Sequence, residues 1–309
     1  MTDAGQRFLI SADTSGVRVD LFISQHQEGL SRSFVRRLIE EGHVLVNGEA
    51  VKASRKVKVG DVVQVDLPPP QPSPVLVPED MPLDIIYEDA DILVVNKPAG
   101  LTVYPAPGHP HHTLMNAILA HCPQLASIES SVRPGVVHRL DKDTSGVMVV
   151  AKNKAAQLYL SSQMKGHRVL KRYVVLVKGL PSPAQGAIEA PIGRHPRDRK
   201  RMAVIEGGRP SRTLYRVTRR FKGYSEVEAT LETGRTHQIR VHFSHKGWPV
   251  VGDTVYGVRV PWLGRQFVHA RTLGLRLPGS GKYVEFSAEL PADLQAALET
   301  VSSVQAAPS

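Results

Sequence analysis

The chain has 309 residues, of which 41% are hydrophobic and 22% charged, and this composition is typical of a water-soluble globular protein. It has no apolar run of the roughly 20 residues that cross a bilayer. Its first residues lack the basic and apolar regions of a signal peptide. Cys122 is the single cysteine, so an internal disulfide is excluded. We therefore expect a cytoplasmic protein without a membrane partner.

The distribution of charge suggests a polyanionic partner. The net charge is +10 and the isoelectric point about 9.8. Residues 1–67 carry 9 basic and 9 acidic side chains, whereas residues 68–309 carry 30 basic and 20 acidic ones. Phosphate contacts by lysine and arginine supply most non-specific affinity for nucleic acids, so the charge predicts a polyanionic partner, and the whole positive excess lies beyond residue 67. Charge alone leaves open a basic protein without such a partner.

A proline-rich segment divides the sequence. Six of the twelve residues in LPPPQPSPVLVP (67–78) are proline, which predicts an extended and stiff spacer. We therefore predict a small domain over residues 16–67, a linker over 68–80 and a large domain over 81–300. The remaining residues, 301–309, are expected to form a frayed tail.

The small domain is predicted to contain two helices and several strands. VDLFISQHQ (19–27) forms the first helix, and Ser31 is the expected N-cap of a second helix that ends at Gly42. A strand over 43–46, a turn at Asn47-Gly48 and a strand–turn–strand over 56–67 follow. One face of the second helix is apolar, with Phe34, Val35, Leu38 and Ile39, and Arg32, Arg36 and Arg37 lie opposite.

This arrangement resembles the S4 RNA-binding domain. The resemblance implies that Arg32, Arg36 and Arg37 contact RNA. A solvated helix face without a partner is the alternative for these arginines.

The large domain alternates strands with helices. Strands are predicted over 91–100, 146–153, 173–179, 213–221 and 224–234, and helices over 113–122 and 154–166. The pattern predicts an α+β fold with a mixed, largely antiparallel sheet.

Four strings in this domain concentrate polar residues beside predicted strands. HRLDKDTSG (138–146) precedes a strand, and loops at strand ends commonly present catalytic groups. RYVVLVKG (172–179) places Tyr173 at the start of a strand. The polar and basic run TGRTHQIRVH (233–242) is expected in a strand–turn context, and NKPAGL (96–101) lies upstream.

In order and spacing, these strings resemble the motifs of the RluA family of pseudouridine synthases, and the resemblance covers about residues 16–295. GHPHHTLMNAIL (108–119) and PIGRHPRDRKRMAV (191–204) are most similar to the RluD branch, which acts on large-subunit ribosomal RNA. The resemblance implies an isomerase of uridine in RNA that uses no cofactor and no metal. It further implies a monomer that acts on large-subunit RNA or on the assembling subunit. Tyr104 stands where the family usually has histidine, and we expect it to pack locally.

The resemblance also implies residue roles. Asp141 corresponds to the nucleophile, and Arg139 to the arginine that fills the stack when the target base flips out. Tyr173 corresponds to the tyrosine that packs on the base and is a candidate for proton transfer, with a core residue of the strand as the alternative. Arg235 corresponds to the basic residue that pairs with the aspartate, and Arg240 is its competitor for that role. A plain phosphate contact is the alternative for Arg235.

The basic string RHPRDRKR (194–201) is a further candidate RNA contact. Its cations are Arg194, Arg197, Arg199, Lys200 and Arg201. We expect a loop that contacts phosphates, with a merely solvated loop as the alternative.

Other functions remain as alternatives at this point. Asp141 and Asp143 stand too close in sequence to flank a glycosidic bond as a catalytic pair. The histidines at 109–112 and 237–245 match no standard zinc spacing. A noncatalytic RNA-binding protein and a glycoside or nucleoside hydrolase are the competing hypotheses.

Overall fold

A computed structural model describes residues 7–13, 15–27, 30, 32–68, 76–105, 109–128 and 133–303. The chain divides into two compact units, Met1–Val75 and Leu76–Ser309. The expected N-cap Ser31, residues 69–75 of the predicted linker and residues 304–309 of the predicted tail lie outside the described residues. No helix in the described ranges has the length and apolar character of a membrane span.

The first unit contains two helices and a four-stranded antiparallel sheet. Its elements are β1 (Arg7–Ser11), α1 (Val19–His26), α2 (Arg32–Glu40), β2 (Val44–Val46), β3 (Glu49–Ala50) and β4 (Val62–Asp66). The strand order is β1-β4-β2-β3. Both predicted helices are therefore confirmed.

The core of this unit confirms the predicted apolar face of α2, but the segment before β4 differs from the prediction. Val35, Leu38 and Ile39 are buried on the apolar face of α2. The predicted strand–turn–strand over 56–67 is wrong in its first half, where Lys56 forms only an isolated bridge. Val57 is fully buried there, so the alternating pattern reflects burial in a loop instead of a ladder of strand hydrogen bonds.

The second unit is a large sheet with helices. Its strands are β5 (Ile85–Glu88), β6 (Ile92–Lys97), β7 (Ser145–Ala151), β8 (Leu170–Lys178), β9 (Gln185–Glu189), β10 (Ile192–Arg194), β11 (Met202–Val204), β12 (Arg212–Phe221), β13 (Tyr224–Leu231), β14 (Val268–Arg276) and β15 (Tyr283–Ser287). Its α-helices are α3 (Leu114–His121), α4 (Lys154–Lys165), α5 (Gln238–His245) and α6 (Ala292–Ser303).

The sheet confirms the predicted α+β class. Within the described residues, eight strands follow the order β5-β6-β7-β14-β8-β13-β12-β9, and β15 joins the sheet as a ninth strand by pairing with β14. Strands β10 and β11 form a separate hairpin. The β7–β14 pair is parallel and the other pairs are antiparallel. The sheet is therefore mixed and largely antiparallel.

Gly146 allows β7 and β14 to approach closely. Its φ is +117°, and a Cβ atom there would lie 2.2 Å from the carbonyl oxygen of Ala270. Only glycine fits this position. The contact brings the loop before β7 to the middle of the sheet, between β6 and β14.

Two sequence predictions are corrected in this unit. The run after residue 233 was expected in a strand–turn context, but it contains the helix α5. Gln238, Arg240 and His242 are buried on α5, so its polar inner face hides the helical period of hydrophobic residues. The predicted tail was also placed too early, because α6 continues through residues 301–303.

Candidate active site

The loop that carries Asp141 is anchored at several points before β7 begins. Leu140 is buried in the core, and the Thr144 amide donates to the Asp141 carbonyl at 3.1 Å. From another side, Arg265 Nη1 donates to the carbonyl of Asp143 at 3.0 Å. These contacts hold the loop while the Asp141 side chain, 22% exposed, faces a pocket.

A buried lysine from the NKPAGL string also holds this loop. Lys97 Nζ donates to the carbonyls of Pro98, Leu101 and Lys142 at 2.8–2.9 Å. Its side chain is fully buried. Three carbonyl acceptors use all three protons of an ammonium group, so Lys97 ties the two loops together through the backbone. We therefore interpret Lys97 as a positioning residue.

Asp141 is paired with Arg240. Arg240 Nη1 lies 3.1 Å from Asp141 Oδ2, while Nε and Nη2 of the same guanidinium donate to the two oxygens of Asp253 at 2.6 and 2.9 Å. Asp253 is fully buried and also accepts from the amides of Val255 and Tyr256. Asp253 thus fixes Arg240, and Arg240 in turn contacts Asp141.

The charges in this group stabilise one another. Burial would lower the pKa of Arg240, but the hydrogen bonds and charges of Asp253 and Asp141 raise it above its ordinary value. Burial would raise the pKa of Asp253, but Arg240 and the two amides hold it below the ordinary value. Both groups are therefore ionised at neutral pH, and a fixed cation lies beside Asp141.

Tyr256 links Arg240 to the β10–β11 hairpin. Its ring lies 5.1 Å from Arg240 Cζ and 5.3 Å from Arg201 Cζ. Its hydroxyl lies 2.7 Å from the donating Met202 amide and 2.9 Å from His237 Nδ1. One aromatic side chain therefore contacts both the hairpin and the arginine that pairs with Asp141.

Tyr173 forms a wall of the same pocket. It lies on β8 between Ala229 of β13 and Ala270 of β14, and these small neighbours leave room for its ring. Burial and then the charge of Asp141 raise the pKa of Tyr173 well above its ordinary value. The phenol therefore keeps its proton and cannot act as a base in the free protein.

His138 supports the loop as a neutral ring. The Val149 amide donates to His138 Nε2 at 3.0 Å, so that nitrogen carries no proton. Burial, and to a lesser extent Lys171, lower the pKa of His138 to about 3. We therefore interpret His138 as a tie between the loop and β7.

The pocket has a volume of about 500 Å³ and a strongly cationic lining. Among the described residues that line it, Asp141 is the one carboxylate. Its basic side chains are Arg139, Lys165, Lys171, Arg209, Arg235 and Arg240. Asp141 is therefore surrounded by positive charges, which suit a polyanionic substrate.

The structure corrects the expected partner of Asp141. Arg235 was expected to pair with it, but Arg240 makes the ion pair and Arg235 Nε donates to the carbonyl of Pro210 at 3.1 Å. Arg240 faces inward from α5, whereas Arg235 precedes the helix and is directed elsewhere along the pocket wall. Arg235 still lines the pocket, so its assignment to the site remains a prediction.

The predicted RNA-contacting residues differ in their surroundings. Arg139 is exposed at the pocket, and Arg194, Arg197, Arg199 and Lys200 are exposed on the β10–β11 hairpin. Arg201 differs from them, because Nη2 donates to the Val255 carbonyl at 2.6 Å and the guanidinium lies over Tyr256. Arg201 thus anchors the hairpin to the site instead of extending into solvent.

In the first unit, the three arginines of α2 are also unequal. Arg32 Nε lies 3.0 Å from the buried carboxylate of Asp20, and this ion pair joins α2 to α1. Arg37 lies over the Phe34 ring at 5.0 Å, and its guanidinium is 3.9 Å from Glu41. Arg36 is exposed.

Sequence reasoning missed Asp253, Tyr256 and Gln238. Asp253 and Tyr256 stand three residues apart in a turn, where the aspartate accepts from the tyrosine amide. Gln238 is buried and its Oε1 accepts from the Arg235 amide and from Thr233 Oγ1. These turn and capping contacts join residues that are close in sequence. The ion pair of Asp253 with Arg240 joins residues thirteen apart, and only the fold reveals it.

One cluster outside this pocket has a metal-like set of side chains. Glu88, His121 and Cys122 offer ligand atoms within 4.8 Å of one another. Glu88 Oε1 lies 2.6 Å from Lys152 Nζ, and Glu88 Oε2 lies 2.8 Å from His121 Nε2. Burial raises the pKa of the Cys122 thiol, and a protonated thiol is a poor ligand. We therefore interpret the cluster as an ion-pair network.

The pocket brings one carboxylate, that of Asp141, together with the Tyr173 ring and several cations. This arrangement suits an enzyme that acts on a polyanion.

Comparisons with known proteins identify the family. Residues 91–245 match the RNA pseudouridylate synthase family and residues 17–63 match the S4 domain. A protein of Chloroflexus aurantiacus, named an uncharacterized RNA pseudouridine synthase, is 52% identical and covers 96% of this chain and 94% of its own. Ribosomal large subunit pseudouridine synthase D of Xanthomonas campestris is 41% identical over 95% of this chain and 92% of its own. The structure of human RNA pseudouridylate synthase domain containing 1 is 31% identical, with a TM-score of 0.58 over 71% of this chain and 88% of that one.

The chain belongs to the RNA pseudouridine synthase family and is an isomerase that acts on RNA. The predicted family and the predicted S4 domain are confirmed. Three relatives named ribosomal large subunit pseudouridine synthase D are 41–42% identical over 92–95% of this chain. These relatives confirm the resemblance to the RluD branch.

Proposed function

We propose that this enzyme converts specific uridines of large-subunit ribosomal RNA to pseudouridine, with Asp141 as the nucleophile that acts on a flipped base. The observation that carries the proposal is the ion pair between Asp141 and Arg240 inside the cationic pocket. The choice of ribosomal RNA is supported by relatives that are named ribosomal large subunit pseudouridine synthase D.

The arrangement of Asp141 suits nucleophilic chemistry. Oδ2 accepts from Arg240, and His237 Nε2 is 4.0 Å from Oδ1, beyond hydrogen-bond distance. In the described residues Oδ1 thus remains available to a substrate. The nearby guanidinium of Arg240 offsets the cost of burying the carboxylate when RNA excludes water from the pocket. The reaction breaks the N1–C1′ bond, joins C1′ to C5 of the same base, removes the proton from C5 and leaves N1 protonated. The atoms balance within one uridine, so the reaction needs no second substrate.

The concave shape of the pocket supports the proposal that the base leaves the RNA stack. Asp141 and Tyr173 lie on the walls of a concave site, which a uridine stacked between neighbours cannot enter. Stacking on an aromatic side chain stabilises a flipped base by about 1–3 kcal/mol. Arg139 is exposed at the pocket, which supports its proposed role of occupying the vacated stack. We therefore infer that Tyr173 holds the base and Arg139 replaces it.

The S4 domain and the β10–β11 hairpin supply further RNA contacts in this proposal. Arg36 of α2 and Arg197, Arg199 and Lys200 of the hairpin have exposed side chains. Each is expected to contact phosphate and thereby increase affinity without reading sequence. Arg36→Glu should therefore raise KM for RNA and leave turnover at saturation unchanged.

The function is tested by mapping pseudouridines in ribosomal RNA from cells with and without this enzyme. We expect defined large-subunit positions to lose pseudouridine in its absence and to regain it when purified enzyme is added to the unmodified RNA. Unchanged maps would contradict the choice of substrate. Release of free uracil would indicate a hydrolase, since an isomerase keeps the base attached.

A further inference from the structure

Three cations that line one part of the pocket have no counter-ion among the residues that the structure describes. Lys171, Arg209 and Arg235 line the same cavity as Asp141 and Tyr173. Lys171 is two residues before Tyr173 on β8, so both side chains lie on the same face of the strand. Arg235 Nε contacts the carbonyl of Pro210, the residue next to Arg209. The three basic groups therefore converge beside the proposed position of the base.

None of the ion pairs within the described ranges involves these three side chains, although neighbouring arginines are paired. Arg212 is bound by Glu189 and Glu232 at 2.7 and 2.6 Å. Arg240 is bound by Asp141 and Asp253. These carboxylates thus already form ion pairs with other arginines and do not neutralise the three cations.

The electrostatics agree with this unbalanced arrangement. Burial and then the charge of Arg235 lower the pKa of Lys171 to about 8, and Lys171 is only 9% exposed. Burial and then the charge of Arg209 lower the pKa of Arg235. A buried cation next to like charges is costly unless an anion joins it. A neutral uracil carbonyl cannot balance this charge, whereas a phosphate can.

We propose that Lys171, Arg209 and Arg235 form a subsite that binds one backbone phosphate of the RNA next to the target uridine. This inference rests on the proposed function and deepens it. One phosphate held by three cations places the sugar of the flipped nucleotide at a fixed distance from Asp141. It also gives Arg235 a role that the Asp141–Arg240 pair leaves open. Arginine and lysine are the side chains that bind phosphate most strongly.

The test uses short RNA substrates in which one phosphate at a time, around the target uridine, is replaced by an uncharged methylphosphonate. With the wild-type enzyme we expect one position to lower kcat/KM by about tenfold, as for the loss of one charge-assisted hydrogen bond. Lys171→Met and Arg209→Gln should each lower kcat/KM on unmodified RNA. On RNA with the methylphosphonate at that position, they should show no further loss.

Affinity gives a second measurement that does not depend on turnover. The slope of the logarithm of the binding constant against the logarithm of salt concentration should become shallower by about 0.7 for each phosphate that the enzyme no longer neutralises. Lys222→Met removes a lysine from an exposed turn and is the matched control, with unchanged kinetics and salt slope. Arg209 is exposed, so Arg209→Gln tests the subsite even if Lys171→Met does not fold.

The proposal would be overturned if, at every phosphate position, the loss of kcat/KM from the methylphosphonate added to the loss from Lys171→Met and from Arg209→Gln. So would competition by millimolar inorganic phosphate without any sensitive position in the RNA, because the subsite would then bind free phosphate. If wild-type enzyme converts no uridine, the proposed function fails. The same variant and methylphosphonate comparison, measured as affinity, would still decide on the subsite.

Discussion

Arg240 contacts two carboxylates at once, Asp141 at 3.1 Å and Asp253 at 2.6 Å. Asp253 is fully buried and fixed by two backbone amides, so it determines where the guanidinium lies. Asp141 lies on the accessible side of the same guanidinium. Substitutions of Arg240 and of Asp253 should therefore affect the chemistry and the fold to different degrees.

Arg240→Lys should lower kcat by about 10–100-fold, the equivalent of the 1.5–3 kcal/mol of a charge-assisted hydrogen bond. A lysine keeps the charge but cannot bind both carboxylates with a planar fork. The check is single-turnover kinetics at saturating RNA. Arg235→Lys keeps the positive charge of the proposed phosphate subsite and does not touch the Asp141 ion pair, so it should lower kcat less than Arg240→Lys does. A larger loss of kcat in Arg235→Lys than in Arg240→Lys would indicate that Arg235 is the functional partner of Asp141.

Asp253→Asn should lower the free energy of unfolding by about 3–5 kcal/mol, because it leaves the buried Arg240 without its main counter-charge. Denaturant unfolding at neutral pH measures this loss. The pKa of Asp253 is held below its ordinary value, so its stabilisation is present above about pH 4 and is lost as the pH falls further. The difference between wild type and variant should therefore shrink in acid. A constant difference would contradict the ion pair.

Tyr173→Leu should lower kcat/KM by about 10–100-fold, since it removes an aromatic surface worth about 1–3 kcal/mol per stacked base. Tyr173→Phe keeps that surface and should lose less. Kinetics of both variants on one RNA substrate make the comparison. Equal losses for phenylalanine and leucine would show that stacking is not what Tyr173 contributes.

The affinity for RNA should fall as the pH rises through about 8. Burial and Arg235 lower the pKa of Lys171 to about 8, so above that pH the proposed phosphate subsite loses one positive charge. His138, neutral through this range, and Arg235 are the groups that face Lys171. The charge of Arg209 in turn lowers the pKa of Arg235. The profile of kcat/KM against pH reports the free enzyme and is the appropriate measurement. Lys171→Arg should remove the decline, and a decline that persists in this variant would have another cause.

The sequence predicts most of the sheet because its strands contain β-branched or alternating residues. It also predicts α2, whose Val35 and Leu38 recur at helical spacing. It does not predict α5, since this helix buries Gln238, Arg240 and His242. Hydrophobic periodicity detects apolar faces, and a helix that turns polar side chains inward for an active site lacks that signal.

The site shows the same division. The motif around Asp141 and the strand of Tyr173 are each recognisable as local strings, and the fold places both in one pocket. The partner of Asp141 could not be chosen from sequence, because Arg235 and Arg240 differ only in which side of the α5 start they occupy. The ion pair with Asp253 fixes Arg240, and not Arg235, beside Asp141. No local sequence pattern indicates this ion pair.

The central claim is that Asp141 performs the chemistry, and Asp141→Asn tests it most directly. The substitution keeps the size of the side chain and removes the charged oxygen. Asp143→Asn, in the same loop, is the matched control. The measurement is the amount of pseudouridine formed in ribosomal RNA by each purified variant, with RNA affinity recorded in parallel. We predict no product and retained affinity for Asp141→Asn, and near-normal product for Asp143→Asn. Pseudouridine formed by Asp141→Asn at the wild-type rate would contradict the account.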